Sequence, residues 1–386
     1  MPDHKKRIKV FHLITKLELG GAQANTIYTV RNLDHARFET HLLCGTGGML
    51  DEEVRRSGIR VHFFRFLRRE INPLGDLLCL ISLWWFLLCK RPQILHTHSS
   101  KAGILGRIAG KLAGVPVIVH TFHGFGFNST QPKRAEEFFQ SLERRCARYA
   151  DKLIFVSKTN MALAEQLQIG TKEQRRLIRS GIRLSGYPPK NVNETALREE
   201  LGIPEDWPIV VSVGNLKPQK NPLDFVTVAY NVLNVCPEAV FLYLGDGPLR
   251  PEVEAAIAEL KIADRCLFPG WRRDVGQILS FSSLFILTSL WEGLPRSLVQ
   301  AVKSGLPCVA YMTDGVTDII HHEKNGFLVR QNDTKMMSYT LIHLLKNDDL
   351  RAEIAFAANE TDLSDFDIDF MVRQQEELYA HLLLSK

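Results

Sequence analysis

The sequence predicts an α/β protein made of two doubly wound domains, each a parallel sheet with helices on both faces. Two observations favour this fold class. Short apolar runs rich in β-branched residues alternate with helical stretches along most of the 386 residues. The series pauses at a polar, Pro- and Asn-rich stretch after about Arg183 and then begins again. With 45% hydrophobic and 24% charged residues, the chain has enough apolar material for two full cores.

The first half supplies six strand candidates, each short, apolar and bounded by turn residues. In order they are RIKVFHLIT, FETHLLCG, IRVHFFR, PQILHTHS, VPVIVHTFHG and DKLIFVSK. The clearest helices between them are ANTIYTVRNL, KAGILGRIAGKLAG and EEFFQSLERRCARYA. Strands that alternate with helices in this way form a parallel sheet.

The second half repeats this plan. Its strand candidates are PIVVSVGN, AVFLYLGDG, RCLFPGW, LFILTS, PCVAYMT and GFLV. We therefore place an N-terminal domain at residues 1–185, a linker with a short helix at 186–207 and a C-terminal domain at 208–365. We expect the carboxyl ends of the two sheets to face each other across a cleft, where such folds bind ligands.

The formal net charge of +5 divides unevenly between the two halves. Residues 1–190 carry 31 Lys and Arg against 15 Asp and Glu, whereas the remainder carries 17 against 28. The basic half favours contact with something anionic, either a membrane surface or a charged substrate. The alternative is that basic and acidic faces meet across the cleft. No nucleic-acid-binding module accompanies the charge, so we expect no nucleic-acid partner.

The cysteines and the N-terminus indicate the compartment. The seven cysteines are scattered without a CxxC pair, which favours buried thiols in a reducing compartment over disulfides or a zinc site. The basic N-terminus has an apolar run only as long as a strand and no small-residue cleavage site, so no signal peptide is predicted. We therefore expect a cytoplasmic protein. The segment Leu77–Cys89 could in addition attach it peripherally to the inner face of the membrane.

The segment Leu77–Cys89 is thirteen residues without a charge. It is too short to span a bilayer, which needs about 20 apolar residues. A helix that is apolar all round is ordinarily a core helix, and packing is the default for Trp84, Trp85 and Trp291 as well. The flanking cations and the two adjacent tryptophans instead suit a helix that lies in a membrane interface. The sequence leaves the choice between core and interface open.

Several common catalytic and metal-binding motifs are missing from the sequence. Neither half has GxGxxG, and the P-loop, HExxH and GxSxG patterns are absent, so we expect no nicotinamide enzyme. His96 and His98 point to the same side of a strand, but no cysteine or third ligand accompanies them. We expect them to line the cleft on the side of the N-terminal domain or to pack beneath it. The acidic run Asp365–Asp369 is assigned to capping and to a solvated face, so no metal site is predicted.

Two loops of the second half suit a diphosphate. In GNLKPQKN, Gly214 ends a strand, and Lys217 and Lys220 follow before the next helix. An ammonium group placed there can neutralise phosphate oxygens. In LGDGPLR the two glycines allow close approach of the backbone.

A third loop, in TSLWEGLPRSLVQA, combines an anion site with a carboxylate. Gly293, Leu294 and Pro295 occupy the start of a helix that Gly305 closes, and its free amides and dipole favour an anion. Glu292 stands at the same point, where a lone carboxylate would repel phosphate. We therefore assign Glu292 to hydroxyl groups of a sugar attached to that phosphate.

Taken in order, these motifs resemble those of the GT-B glycosyltransferases of family 4, which are retaining enzymes that use nucleotide sugars. The resemblance lies in LGGAQ, ILHTHSSKAGILGRIAGKLAGVPVIVHTFHG, VGNLKPQKN, LGDGPLR, LFPGW and SLWEGLPRSLVQAVKSGLPCVA. The closing FDIDFMVRQQEELYAHLLL, within residues 366–386, resembles the helix that crosses back onto the first domain. The resemblance covers nearly the whole chain and implies two Rossmann-like domains that face each other across a cleft.

The resemblance also implies roles for individual residues. Glu292 would read the hydroxyls of the donor sugar, and Lys220, helped by Lys217, would stabilise the leaving diphosphate together with the amides of Gly293, Leu294 and the following helix. Gly21 would let the backbone approach the same phosphate. His123 falls at the family's active-site histidine and would contact the sugar from the first domain.

Two positions depart from the family pattern. The family has a second glutamate that bonds the ribose hydroxyls, and here that position is Gln300. An amide still accepts through its carbonyl oxygen but without charge assistance. Asn215 stands where the family often has an arginine beside the diphosphate. From these departures we expect donor binding to be weakened but kept.

The resemblance implies a hexosyltransferase that needs no metal ion or other cofactor. Its partners would be a UDP- or GDP-linked sugar donor and a hydroxyl of a cell-surface polysaccharide or lipid-linked glycan, with the anomeric configuration retained. One alternative is a nucleotide-sugar 2-epimerase, which shares the architecture but needs no acceptor. Another is a non-catalytic homologue that binds a nucleotide sugar, for which Gln300 and Asn215 are the only support.

Overall fold

The fold is taken from a computed structural model that describes residues 7–127, 131–189 and 192–386. The chain divides into two compact units. The first comprises Met1–Gly181 together with Ile368–Lys386, and the second comprises Ile182–Asp367.

The first unit is built on a seven-stranded parallel sheet in the order β3-β2-β1-β4-β5-β6-β7. Its strands are β1 Ile8–Ile14, β2 Phe38–Gly45, β3 Val61–Phe64, β4 Ile94–His98, β5 Val117–Phe122, β6 Lys152–Phe155 and β7 Arg175–Leu177. The strand order reverses between β1 and β4, and such a reversal is where doubly wound sheets bind ligands. The predicted strands are present, and β7 is an additional, short edge strand.

Six helices connect these strands: α1 Gly21–Asn32, α2 Asp51–Arg56, α3 Pro73–Lys90, α4 Ser100–Leu112, α5 Lys133–Ala147 and α6 Lys158–Gln166. The glycines of α4 explain its tight packing on the sheet. A methyl group on Gly103, Gly106 or Gly110 would lie 2.3, 2.6 or 2.8 Å from a carbon atom of a strand side chain. Helix α4 can therefore approach the strands closely only because these positions have no side chain.

The second unit has a six-stranded parallel sheet in the order β10-β9-β8-β11-β12-β13, so its strand order reverses between β8 and β11. The strands are β8 Ile209–Val213, β9 Val240–Leu244, β10 Cys266–Gly270, β11 Leu284–Leu287, β12 Cys308–Tyr311 and β13 Gly326–Val329. The helices are α7 Glu194–Leu201, α8 Pro222–Leu233, α9 Arg250–Leu260, α10 Val275–Phe281, α11 Arg296–Lys303, α12 Thr334–Lys346 and α13 Asp348–Asn359. The central strands are buried on both faces, which is typical of a parallel sheet.

The last helix, α14 Ile368–Leu384, packs on the sheet of the first unit. Its buried side chains Met371, Val372 and Tyr379 join the core formed by residues such as Val10 and Phe38. This apolar stripe attaches the end of the chain to strands that begin it.

Helix α3 bears on the choice between core and interface that the sequence leaves open. Only one stripe of it, formed by Cys79, Leu83 and Leu87, is buried in the core of the first unit. The opposite face is exposed although it is apolar; it consists of Leu74, Leu77, Leu78, Ile81 and Trp85. The helix is therefore a core helix along its inner stripe only, and the described residues leave its opposite apolar face uncovered. Trp84 packs against the core as expected, whereas Trp85 is 59% exposed.

Among the described residues, α3 is also the one helix whose length and composition would allow it to cross a membrane, a test that core helices of soluble proteins pass as well. Asn72 caps the first turn of the helix by accepting a 2.9 Å hydrogen bond from the Gly75 amide. Only the inner stripe of the helix is in the core. We refer to the five exposed apolar residues of α3 as the outer face of α3.

Candidate active site

The loops that follow β8 and β11 lie side by side, because these strands are neighbours where the strand order of the second unit reverses. Several hydrogen bonds join the two loops. The Leu290 amide donates to the Gln219 carbonyl at 2.8 Å, and the Gln219 side chain donates to the Trp291 carbonyl at 2.9 Å. The Thr288 hydroxyl donates to the Lys220 carbonyl at 2.9 Å. The backbone that carries the predicted charged residues is therefore held in place from both sides.

Lys220 and Glu292, which the sequence assigned to different parts of the donor, form an ion pair through Nζ and Oε1. Glu292 is only 6% exposed, and the side chain of Lys220 is 17% exposed. A carboxylate this well buried is tolerated because the ammonium group offsets its charge. The pair explains how Glu292 can stand at the end of a strand where an anion is expected to bind.

Asn215 and Lys217 lie in the loop after β8, where the Lys217 amide donates to the Asn215 carbonyl at 2.8 Å. Beneath them, the Tyr243 hydroxyl donates to the same carbonyl at 3.4 Å. Burial, reinforced by the charge of Glu292, raises the pKa of Tyr243, so its hydroxyl stays protonated as a donor. This contact could not be predicted from the sequence, since Tyr243 lies inside a continuous apolar strand.

The glycines of LGDGPLR serve the contact between loops. Gly245 has a φ of +151°, and a Cβ atom there would lie 1.8 Å from the carbonyl oxygen of Gly214. A Cβ atom on Gly247 would lie 2.6 Å from the carbonyl oxygen of Leu216. These positions need glycine so that the loops after β8 and β9 can pack backbone against backbone.

Gly293, Leu294 and Pro295 are buried in the loop that leads into α11. The helix begins at Arg296, so Pro295 is the capping residue and not the first helical residue that the sequence predicted. The positive end of the helix dipole lies here, which suits an anion at this end. The helix ends before Gly305, whose φ of +76° matches its predicted role as the closing residue.

Gln300 lies on α11, and its side-chain nitrogen donates a 2.6 Å hydrogen bond to the hydroxyl of Tyr187. Burial raises the pKa of Tyr187. Because the amide nitrogen is used in this way, a ribose hydroxyl bonded by Gln300 would donate to its carbonyl oxygen. Tyr187 was missed because it lies in a polar segment with no periodic pattern.

In the first unit, histidines from three neighbouring strands meet. His12 is on β1, His96 and His98 are on β4, and His123 follows β5 directly. Nδ1 of His12 lies 3.0 Å from Nε2 of His98, and Nδ1 of His98 lies 3.1 Å from Nε2 of His123. Nδ1 of His96 lies 2.5 Å from the hydroxyl of Tyr379 on α14. The predicted sugar-binding histidine, His123, is therefore the end of a row of polar rings.

The expectation that no third ligand accompanies His96 and His98 is wrong. His12 stands beside them, and a nitrogen atom from each of the three rings lies within 4.8 Å of the others. Burial lowers the pKa of His12 to about 3 and the pKa values of His96 and His98 well below the ordinary value, so all three rings are neutral. They pack beneath the strand ends, at most 3% exposed, and their ring nitrogens contact other polar groups.

Gly21 is the first residue of α1 and is exposed, next to Gly20, whose extended backbone precedes the helix. Gly21 and His123 belong to the first unit, and the other predicted site residues belong to the second.

Each half of the chain matches a glycosyltransferase family. Residues 20–181 match the family described as glycosyl transferase 4-like domain, and residues 193–361 match the glycosyl transferases group 1. The chain is 32% identical over 390 residues, 100% of both chains, to the UDP-Gal:alpha-D-GlcNAc-diphosphoundecaprenol alpha-1,3-galactosyltransferase of Escherichia coli. It is 30% identical over 189 residues, 49% of both chains, to the N-acetyl-alpha-D-glucosaminyl L-malate synthase of Bacillus anthracis.

Among solved structures, the Anabaena protein Alr3699/HepE in complex with UDP-glucose has a TM-score of 0.82 at 22% identity, covering 98% of this chain and 100% of that one. At this identity the likeness shows the fold alone. The family models and the full-length relative identify an α/β enzyme that uses a nucleotide sugar. The chain belongs to the GT-B glycosyltransferases of family 4, and it is a hexosyltransferase.

Proposed function

We propose that the chain transfers galactose from UDP-galactose to a hydroxyl of a saccharide carried on a lipid diphosphate, with retention of the anomeric configuration. The observation that carries this proposal is the likeness to the Escherichia coli galactosyltransferase, which extends over all of both chains at 32% identity.

The loops of the second unit support a role in stabilising the leaving group. When the bond to the sugar breaks, negative charge develops on the diphosphate. The ammonium group of Lys220, held beside Glu292, is fixed before the donor arrives and does not have to be ordered during the reaction. The first amides of α11 would add donors to the same charge. In this proposal Glu292 accepts hydrogen bonds from the hydroxyls of the sugar, and His123 is the contribution of the first unit.

The same arrangement underlies our proposal that transfer needs no metal ion. Lys220 supplies a positive charge at the position where a divalent cation would otherwise offset the diphosphate. We expect that enzyme treated with a chelator and then freed of it keeps its full rate of transfer.

We also propose that the first unit contacts the anionic inner face of the membrane, where a lipid-linked acceptor would be met. The outer face of α3 is apolar and exposed. Exposed cations flank it in the chain, namely Arg65, Arg68, Arg69, Lys90 and Arg91. This combination supports interfacial binding, because apolar side chains enter the acyl boundary while cations meet anionic headgroups.

The test is a transfer assay with purified protein, a synthetic N-acetylglucosamine diphosphate lipid and four donors: UDP-galactose, UDP-glucose, UDP-N-acetylglucosamine and GDP-mannose. We expect galactose to be transferred fastest and the product to show an α linkage by NMR. Transfer from GDP-mannose alone, or a β linkage, would contradict the proposal. Release of a free epimerised sugar without acceptor would instead indicate an epimerase, and UDP binding without turnover a non-catalytic homologue.

A further inference from the structure

A row of hydrogen-bonded groups runs from α14 to His123. The hydroxyl of Tyr379 lies 3.5 Å from Nε2 of His12, whose Nδ1 is 3.0 Å from Nε2 of His98. Nδ1 of His98 is 3.1 Å from Nε2 of His123. We call Tyr379, His12, His98 and His123 the imidazole chain. We propose that Tyr379 is a positioning residue, which fixes the direction of hydrogen bonding along this chain so that His123 donates through Nε2 to His98.

The direction starts from the single proton of the Tyr379 hydroxyl. Its oxygen lies 2.5 Å from Nδ1 of His96, 3.3 Å from the side-chain oxygen Oε1 of Gln375 and 3.5 Å from Nε2 of His12. Because a hydrogen bond weakens with distance, the proton goes to His96 or to Gln375 and not to His12. In both cases the lone pairs of the oxygen remain to accept the Nε2–H of His12.

The direction then passes from ring to ring. Burial makes His12 and His98 neutral, so each carries one N–H and one lone pair. With the proton on Nδ1, Nε2 of His12 and the Tyr379 oxygen would face each other at 3.5 Å with no proton between them, so we infer that His12 donates through Nε2. Its Nδ1 must then accept from Nε2–H of His98. Nδ1 of His98 must in turn accept from Nε2–H of His123. Two neutral rings are thus enough to transmit the order from α14 to the histidine that follows β5.

Bulk water does not compete with this order. His12 is fully buried and His98 is 3% exposed. The cavity lined by His98, His123 and Thr121 has a volume of about 10 Å³, which leaves room for at most one water molecule. The choice of protonated nitrogen is therefore made by the neighbouring side chains.

The consequence concerns the reaction, and this step rests on the proposed function, in which His123 contacts the donor sugar. Which nitrogen of an imidazole donates and which accepts is set by the hydrogen bond that the other nitrogen makes. With Nε2–H directed at His98, the ring plane of His123 is fixed, and in the neutral ring Nδ1 is the acceptor. An acceptor there suits a sugar hydroxyl that donates.

The experiment is NMR of the full-length protein with ¹⁵N-labelled histidine, in which two-bond couplings identify the protonated nitrogen of each ring. We expect Nε2–H at both His12 and His98 in the wild type. Tyr379→Phe keeps the buried ring and removes only the accepting oxygen. A buried N–H without an acceptor costs more than an unused lone pair, so the protons of His12 and His98 should both move to Nδ1. His98 would then donate to His123.

The first unit also supplies two controls, a variant and a second pair of histidines. The hydroxyl of Tyr28 donates a 2.5 Å hydrogen bond to Asp369, which lies on α14 like Tyr379. Tyr28→Phe removes this hydroxyl and should leave the tautomers of His12 and His98 unchanged. His41 and His62 form a separate hydrogen-bonded pair at 3.0 Å, and their signals should not change in either variant.

Kinetics provide the second readout. We expect Tyr379→Phe to lower kcat about tenfold with the KM for the donor changed less than about twofold, because the misdirected His123 matters most in the transition state. Tyr28→Phe should stay near the wild-type kcat. A loss in both variants would indicate that docking of α14 alone is responsible and would overturn the proposal.

The wild-type spectrum needs no variant and already tests the direction. His98 protonated on Nδ1 in the wild type, or unchanged tautomers in folded Tyr379→Phe, would overturn the proposal. So would a stoichiometric transition metal in the purified protein, since it would take the nitrogens of His12, His96 and His98. If the tautomers behave as expected while no nucleotide sugar is turned over, the proposed function fails and the proton order stands.

Discussion

At the scale of single residues, the Lys220–Glu292 ion pair ties stability to ligand binding. We expect Glu292→Gln and Lys220→Met each to cut turnover about 100-fold or more, because each removes a preorganised contact to the donor. Each single variant also leaves a largely buried charge without its partner, which should lower the free energy of unfolding by about 2 kcal/mol. Turnover assays and denaturant unfolding measure the two effects separately.

The double variant separates the two roles of the pair. In Glu292→Gln with Lys220→Met no unpaired charge remains, so we expect the free energy of unfolding to return most of the way to the wild-type value. Turnover should stay at the level of the slower single variant. Near-normal turnover in folded Glu292→Gln would show that the carboxylate is structural and that the donor binds elsewhere.

A second residue-scale prediction concerns Gln300. In Gln300→Glu the hydroxyl of Tyr187 can donate to the new carboxylate, so the 2.6 Å contact is kept with its direction reversed. The carboxylate can also accept a ribose hydroxyl with charge assistance, and we expect UDP to bind about fivefold more tightly. Calorimetric titration measures the affinity, with Gln300→Leu as the control that loses both bonds. Weaker binding in Gln300→Glu would show that the amide is fitted to another contact.

Most of the site residues predicted from the sequence share a simple property: they stand where an apolar strand gives way to a loop. Lys220 and Glu292 could be found in this way because parallel strands end at the same edge of a sheet. Tyr379 could not, because it lies far along the chain in a helix whose periodic pattern accounts for it as a core residue. His12 was missed because it is a single polar residue inside an apolar strand, which the sequence likewise accounts for as core.

At the scale of secondary-structure elements, the central strands could be predicted because burial on both faces requires continuous apolar runs. The edge strand β7, with the sequence RRL, has no such run and was missed. Helix α3 shows another limit. Its composition is apolar on all sides, and composition alone does not tell which side the protein covers.

Helix α3 carries the prediction at this scale. We expect the protein to bind anionic vesicles more than neutral ones and to be released only partly by high salt, because salt screens the cations but not apolar insertion. Trp85→Ala should weaken vesicle partitioning about tenfold, since a large exposed apolar side chain is lost from the outer face. Its melting temperature should change little. Sedimentation with vesicles and a melting curve test both statements.

Two control variants sharpen this comparison. Leu83→Ala changes the buried stripe of the same helix, so it should lower the melting temperature and leave vesicle binding of the folded protein intact. Phe356→Ala removes an aromatic side chain that is 70% exposed on the second unit, and it should change neither. Equal vesicle binding by the wild type and Trp85→Ala would leave the outer face of α3 without a role at the membrane.

At the scale of the whole molecule, our proposals divide the work between the two units. The loops of the second would bind the donor, and the first carries the imidazole chain and the basic, apolar surface around α3. The alternation of strands and helices allowed both sheets to be predicted. The division of roles came from the family resemblance and from loop chemistry. The orientation of buried polar groups depends on contacts between residues far apart in the chain, and no local pattern records such contacts.

This division leads to the last prediction, which concerns stabilisation by nucleotides. A ligand that binds only the folded state stabilises it by mass action, by about 2.7 kcal/mol at 100 times its Kd. We expect UDP at such a concentration to raise the melting temperature by about 5 °C, and GDP and ADP at equal concentration to raise it less. Lys220→Met should lose the shift, because in our proposal Lys220 contacts the diphosphate. Tyr379→Phe should keep it, because its changed residue lies in the first unit.

Equal shifts from all three nucleotides would contradict the assignment of UDP, and a full shift in Lys220→Met would place the diphosphate away from the loop after β8.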